Sequence, residues 1–349
     1  MIGLNNIVPM MGKIANAESG GGGDTMTPLT LTALTNGAKV TLNKVGSPPD
    51  VSLEYSTGGA WTTYTIGTEI TLTSAGDYIK FRGDNSTFST TFNDYYQFSM
   101  SGTIGASGNV MSLVDSTCKS LTIPCDFCFR SLFYGCRSLT TAPALPATTL
   151  EARCYENMFR GCTSLTTAPE LPATTLTMHC YYNMFNGCTG LTSAPELPAT
   201  TLAGYCYQYM FNSCTSLTSA PALPATTLAP YCYSGMFEGC ASLTTAHALP
   251  ATTLATECYR GMFFGCTSLI TAPALPATEL ATECYRGMFY NCTKLSSIEI
   301  SFTSWTQATN QTYSWVGGVA SSGTFTKPAA LATEYGNSRI PTGWTVIDK

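Results

Sequence analysis

The stretch Cys154–Leu176, CYENMFRGCTSLTTAPELPATTL, returns from Cys180 as CYYNMFNGCTGLTSAPELPATTL, 26 residues later. The same frame runs back to Cys128 and on to Cys292. Fourteen of the sixteen cysteines thus fall in the pairs Cys128/Cys136, Cys154/Cys162, Cys180/Cys188, Cys206/Cys214, Cys232/Cys240, Cys258/Cys266 and Cys284/Cys292. Near-identity at one period in the range ~20–50 residues marks a solenoid, because a single unit cannot bury its apolar face and must stack on its neighbours.

Within the unit, with the first cysteine as zero, positions 0, +4, +5 and +8 are Cys, Met, Phe and Cys in every unit but the first, where +4 is Leu132. That spacing predicts a short helix with Met158, Phe159 and Cys162 turned inward. Positions −1, +2, +3 and +6 change from unit to unit, as Arg153, Glu156, Asn157 and Arg160 or as Tyr231, Ser234, Gly235 and Glu238, and are expected to face solvent. Gly161 and its counterparts sit where a left-handed residue ends a helix. Leu at +11, Ala at +14 and Leu at +17 and +22 then predict a few extended residues of a parallel sheet, kept short by Pro at +15 and +18. Strands spaced ~4.8 Å beside helices spaced ~8–10 Å would bend the stack. The expected fold class is an α/β solenoid of leucine-rich-repeat type, seven 26-residue repeats, preceded by a small all-β sandwich domain.

A disulfide within such a helix is excluded, since eight residues separate its ends by ~12 Å. Bridges between units would leave one member of each seven-cysteine column unpaired. Buried free thiols packed as small hydrophobes are therefore expected. Cys125-Asp126-Phe127-Cys128 is formally C-x-x-C and, with Cys118, raises zinc or thiol redox chemistry. Cys128 belongs to the repeat, however, and no second such pair or nearby histidine completes four ligands. No metal and no cofactor is expected.

Composition narrows the partners. Only 11% of residues are charged, the net charge is −5, and no long basic run exists. Nucleic-acid binding and attachment to an anionic membrane are disfavoured, no membrane insertion is expected, and a hydrophobic content of 44% excludes wholesale disorder.

Outside the repeat the chain divides into three further parts. Residues 1–23 read as an apolar peptide, 1–18, on the flexible tether Ser19–Gly23, which is no phosphate loop because no Lys-Ser or Lys-Thr follows. This start lacks a basic region, and Asn5, Asn6 and Pro9 interrupt its apolar part, so it reads as a docking segment or an ordinary disordered tail rather than a signal peptide. Residues 24–117 carry alternating segments such as AKVTLN (38–43) and YIKFR (78–82) between turn signals, the pattern of a β-sandwich. Arg82-Gly83-Asp84 reads as a plain turn. The solenoid is assigned to 118–299, and 300–349 to a C-terminal cap built on Trp305, Trp315 and Trp344. A sugar-stacking site on those tryptophans is the functional rival.

The core Phe159–Leu165 with the following Leu171-Pro172 resembles the BspA-type leucine-rich repeats of surface proteins from gut and oral bacteria and their phages. The segments EYSTGGAWTTYT (54–65), GNVMSLVD (108–115) and SGTFTKPAALATEYGNSRIPTGW (322–344) are similar to flanks found in such proteins. The resemblance implies adhesion or recognition rather than catalysis, and no particular ligand. With no secretion signal read at the start, a virion component fits: a phage fibre or decoration protein anchored through residues 1–18 to a capsid or tail protein. The alternatives are a secreted bacterial adhesin of this type and a purely structural virion spacer.

A bacterial or host surface glycan or protein is the expected partner, and a homo-oligomer is compatible with the repeat. Candidate ligand-binding residues are Tyr182, Tyr205, Tyr209, Tyr231, Arg260 and Arg286 on the variable stripe, with Glu170 and Glu196 on the sheet side. Catalysis would need paired carboxylates in a pocket. Glu170 and Glu196 are expected on a flat ladder, and His247 merely replaces a proline, so no enzyme is expected.

Overall fold

A computed structural model describes residues 27–306 and 308–349. Residues 1–23, expected to form a docking segment and its tether, lie outside the described residues.

The N-terminal part forms two sheets. β1 (Leu29–Ala33), β3 (Glu54–Ser56), β4 (Thr62–Thr63), β6 (Tyr78–Arg82), β8 (Ile104–Ser107) and β9 (Leu139–Thr141) form one, in the order β4-β3-β6-β1-β8-β9. β2 (Ala38–Val45), β5 (Ile70–Leu72) and β7 (Tyr95–Ser101) form the other, in the order β5-β2-β7. Alternation decides which side is buried: Leu29, Leu31 and Ala33 of β1 and Ala38, Val40 and Leu42 of β2 are inside. Phe81 of β6 and Phe98 of β7 meet with ring centroids 5.4 Å apart, so residues from both sheets share one core.

The repeat departs from expectation at its supposed helix. Among the described residues the only helical segment is the 3-10 turn Val110–Leu113, and each run that was expected to be helical is a chain of tight turns. Every fourth residue is left-handed: Arg153 (φ 58°), Asn157 (φ 56°) and Gly161 (φ 74°) in one unit. Three left-handed residues in nine are incompatible with a right-handed helix.

Hydrogen bonding follows a two-residue alternation. The amides of Glu156, Met158, Arg160 and Cys162 donate back to the carbonyls of Arg153, Tyr155, Asn157 and Phe159, closing the turns. Those of Arg153, Tyr155, Asn157, Phe159 and Gly161 donate forward to Met178, Cys180, Tyr182, Met184 and Asn186 of the next rung. A helix would satisfy its amides internally; here half of them tie one rung to the next. The mismatch expected to bend the stack does not arise, because both sides are spaced by inter-rung hydrogen bonds.

Each turn ribbon packs positions 0, +1, +4, +5 and +8 inward. Cys, Met, Phe and Cys are buried as expected, and Tyr155, Tyr181, Tyr207, Tyr233, Tyr259 and Tyr285 at +1 join them. The phenylalanines form one column, with centroids 5.4 Å apart for Phe133–Phe159 and 5.8 Å for Phe263–Phe289. The tyrosines form a second, at 5.9 Å for Tyr155–Tyr181. Four residues expected in solvent are corrected: Glu156, Asn157, Ser234 and Gly235 are buried, because the turns fold +2 and +3 against the ribbon.

All sixteen cysteines are free, and all but Cys125 are buried. The thiol at +8 donates to the Phe carbonyl of the preceding rung, as in Cys162 Sγ to Phe133 O at 3.0 Å and Cys240 Sγ to Phe211 O at 3.1 Å. A cysteine there fills a small apolar site and also supplies a hydrogen to the inter-rung lattice. Burial pushes these thiols up, Cys188 and Cys240 to about 12.

The opposite side is sheet reduced to single contacts. Thr141, Thr167 and Ser193 bridge in parallel, as do Thr175 and Thr201. Between these columns the prolines at +15 and +18 remove donors, which keeps regular strands from forming.

The stack is closed at both ends by residues that imitate a rung. Phe98 stacks on Phe133 at 5.2 Å, donates its amide to Leu132 and accepts Cys136 Sγ, while β8 pairs in parallel with β9. At the other end Tyr285, Gly287 and Phe289 donate to Gln311, Tyr313 and Trp315, and β10 (Ser297–Glu299), β11 (Thr324–Lys327) and β12 (Thr345–Asp348) form a parallel sheet. Trp305, Trp315 and Trp344 are 4%, 0% and 3% exposed, so a sugar cannot stack on them and their role is packing.

The left-handed column at +3 makes a direct prediction. Asn183 (φ 55°) matches Gly235 and Gly261 of later rungs. Asn183→Gly is expected to cost less than ~1 kcal/mol, and Asn183→Val ~1–3 kcal/mol from backbone strain. Thermal unfolding of the two variants checks this; equal losses would contradict the turn geometry.

Candidate functional site

Left-handed corners project the −1 side chains outward, and inter-rung bonding sets them in file: Arg153, His179, Tyr205, Tyr231, Glu257 and Glu283. His179 stacks on Tyr205 and Tyr205 on Tyr231, each pair with centroids 4.5 Å apart and planes within 9°. The Tyr231 hydroxyl donates to Glu257 Oε1 at 2.6 Å, and Arg260 Nη1 donates to Glu257 Oε2 at 2.6 Å. The Glu257 carboxylate holds the Tyr231 hydroxyl up at about 12. Burial, with Arg153 nearby, brings His179 down to about 4, so its imidazole is neutral at pH 7.

Tyr182 lies beside this file, 5.5 Å from His179 and edge-on to Tyr209 at 6.3 Å. Two ion-pair clusters flank the aromatic patch. Arg130 and Arg153 share the buried Glu156, at 3.2 and 2.8 Å, with Arg153 lying 4.3 Å over the Phe92 ring. Arg286 pairs with Glu283 at 2.8 Å. Each guanidinium is held by a carboxylate.

Of the eight candidates, Tyr182, Tyr205, Tyr209 and Tyr231 form one patch, joined to Arg260 through Glu257. Tyr209, Arg260 and Arg286 also line a groove of about 360 Å³, with Glu238, Phe264 and Tyr290. Glu170 and Glu196 lie elsewhere, on the proline side, in a shallow hollow of about 270 Å³ with Pro172 and Pro198. Glu196 and His247 border a larger one of about 530 Å³. The expected flat ladder is corrected: alternating prolines and small alanines carve the surface. Those hollows are walled mainly by Ala, Pro and Leu, whereas the turn side gathers rings and ordered charges, and it is the stronger candidate surface.

Sequence reasoning missed His179, Glu257, Glu238, Phe264 and Tyr290. The available signal was positional, since all five stand at −1 or +6, the variable places in the unit.

Cys125 stands apart from the other thiols. The Cys128 thiol hydrogen-bonds to it and backbone groups of Phe88 and Ser89 add to this, bringing it down to about 6. Iodoacetamide at pH 7 is expected to label one cysteine per folded chain, Cys125, leaving the rest for the denatured protein. Peptide mapping checks this, and rapid labelling of several repeat cysteines would contradict the buried columns. Among the described residues, no group of three or more His, Cys, Asp or Glu is placed to hold a metal ion. No helix among them is long and apolar enough to cross a membrane.

The family model described as BspA type leucine rich repeat region matches in six copies, over residues 128–269 and 236–316. No curated protein and no solved structure matches the chain.

Proposed function

The chain belongs to the BspA-type leucine-rich repeat family, and from that premise we propose that it is a recognition protein whose turn side contacts a glycan or protein on a bacterial or host surface. Proteins of the family are associated with surface adhesion and recognition, and its repeats generally serve as binding or scaffold units rather than catalysts. The observation that carries the reading is the file His179–Tyr205–Tyr231–Glu257–Arg260. Rings 4.5 Å apart and carboxylate bonds of 2.6 Å present apolar and polar contacts on a lattice that loses little entropy on binding.

We further propose the virion as the setting, with residues 1–18 attached to a capsid or tail protein and the Gly-rich tether leaving the stack free to reach its target. An apolar peptide and a Gly-rich segment that precede the hydrogen-bonded stack in the sequence support this arrangement. Crosslinking mass spectrometry on native particles tests it: links from residues 1–18 to a structural protein are expected, and a chain found free in the medium would contradict it.

Recognition itself is tested by adsorption of the purified chain to a panel of gut and oral bacteria and epithelial cells. Tyr205→Ala with Tyr231→Ala is expected to lower adsorption at least ~10-fold with the fold intact, as loss of central aromatic contacts does. Undiminished adsorption would remove the turn side from the account.

A further inference from the structure

The groove beside Arg260 has a built floor. At position +3 the rungs carry Ser131, Asn157, Asn183, Tyr209, Gly235, Gly261 and Gly287, all left-handed. Three successive glycines open a trough where earlier rungs hold side chains. Tyr209 closes one end by lying across Gly235, where an added Cβ would collide with its ring. Gly261 and Gly287 stay open, with only Glu238 Oε2 as near as 4.0 Å to a Cβ on Gly261 and nothing within 4 Å at Gly287.

One wall is aromatic: Phe264 and Tyr290 stack at 5.2 Å with planes 13° apart, forming a continuous ring surface along the stack. The other is Arg260 and Arg286, each bonded to its glutamate through one Nη1 and left with further N–H donors. Tyr313, with Arg286 over its ring at 5.5 Å, stands at the far end.

From these features, and resting on the recognition reading above, we propose that the trough over Gly261 and Gly287 is a subsite for an uncharged glycan segment lying along the stack. Ring faces on one side and fixed donors and acceptors on the other match a sugar, which offers an apolar C–H face and a rim of hydroxyls. Two arginines stand against Glu238, Glu257 and Glu283, so the local charge does not favour a polyanion. Gly261 and Gly287 lie one rung step, ~4.8 Å, apart, so the open floor seats about one sugar ring of the segment. Glu238, half-buried in the floor, accepts hydrogen bonds from sugar hydroxyls, and Arg260 and Arg286 donate them.

The repeat itself supplies the test substitution. Asn occupies this position in two earlier rungs at the same φ, so Gly261→Asn with Gly287→Asn fills the trough in a conformation the fold already uses. Phe264→Ala removes ring surface without touching the backbone. The full chain and these variants are titrated against neutral di- and trisaccharides (mannose, glucose, galactose and N-acetylglucosamine oligomers) and against acidic ones, alongside the cell-adsorption assay. The expected result is binding of at least one neutral oligosaccharide, weakened at least ~10-fold by the double variant and by Phe264→Ala, with cell adsorption falling in parallel. Binding of acidic oligosaccharides only, or of none, overturns the subsite. Parent adsorption that the double variant leaves unchanged also overturns it while recognition stands; a parent that adsorbs to no cell overturns the recognition reading first.

Discussion

Above pH 9 the fold is expected to fail abruptly. The fourteen repeat cysteines are held protonated by burial: Cys136, Cys180, Cys188, Cys232, Cys240, Cys284 and Cys292 are pushed up to about 12, and the other seven are also raised well above 9. In the unfolded chain each thiol loses its proton near 9, so above that pH the unfolded state binds fewer protons and stability falls as pH rises. Below 9 both states are protonated and these groups contribute no pH dependence. Each thiol then removes ~1.4 kcal/mol per pH unit until its folded value is reached. Fourteen together exceed a typical stability of ~5–15 kcal/mol within about one unit. Circular dichroism in reductant from pH 7 to 11 should show a sharp loss of signal with its midpoint between about 9 and 10.5. A native spectrum retained to pH 11 would contradict the buried-thiol columns.

Phe211→Ala is expected to be the costliest single truncation in the middle of the stack. Its ring lies between Phe185 at 5.6 Å and Phe237 at 5.7 Å, and it is fully buried. Removing it leaves a cavity that hydrogen-bonded neighbours on both sides cannot close, for ~3–5 kcal/mol. Because each rung touches only its neighbours, the loss is local, and the rungs beyond it should melt separately from those before it. Denaturant unfolding is expected to split into two transitions, with fast hydrogen exchange around residues 205–240. A single transition shifted by less than ~1 kcal/mol would mean the column carries little of the stability.

The 26-residue frame, the inward Cys, Met, Phe and Cys, the short sheet side and the packing role of the terminal region were all legible in the residues. The helix was not, and the reason is arithmetic. Over nine residues a turn repeating every four places inward groups at 0, +4 and +8, almost where a period of 3.6 places them. What distinguishes the two is the conformation of −1, +3 and +7. Gly161 hinted at it, yet Arg153 and Tyr231 are left-handed too, and neither residue type advertises that. Inward Tyr155 was legible under either reading, since a helix at about 100° per residue also places +1 between +8 and +5 on the apolar face.

The candidate surface was legible as a set of variable positions but not as a shape. Tyr205 and Tyr231 could be named because they interrupt a repeat; their stacking followed only once the rungs were tied at hydrogen-bond distance. Glu170 and Glu196 stood out equally in sequence and prove to lie on the other side, among prolines. Glu257 and Glu238 looked like ordinary surface acids until the fold placed one against Tyr231 and the other in a glycine-floored groove.

The central claim is that the turn side, not the proline side, meets the partner. A photocrosslinking amino acid placed in turn at Tyr205 and Tyr231, and at Thr218 and Thr244, exposed residues beside the Ser219–Thr245 bridge of the proline side, irradiated with chain adsorbed to intact cells, tests it most directly. The account predicts surface-component adducts from positions 205 and 231 and none from 218 and 244; adducts from the threonine positions alone would contradict it.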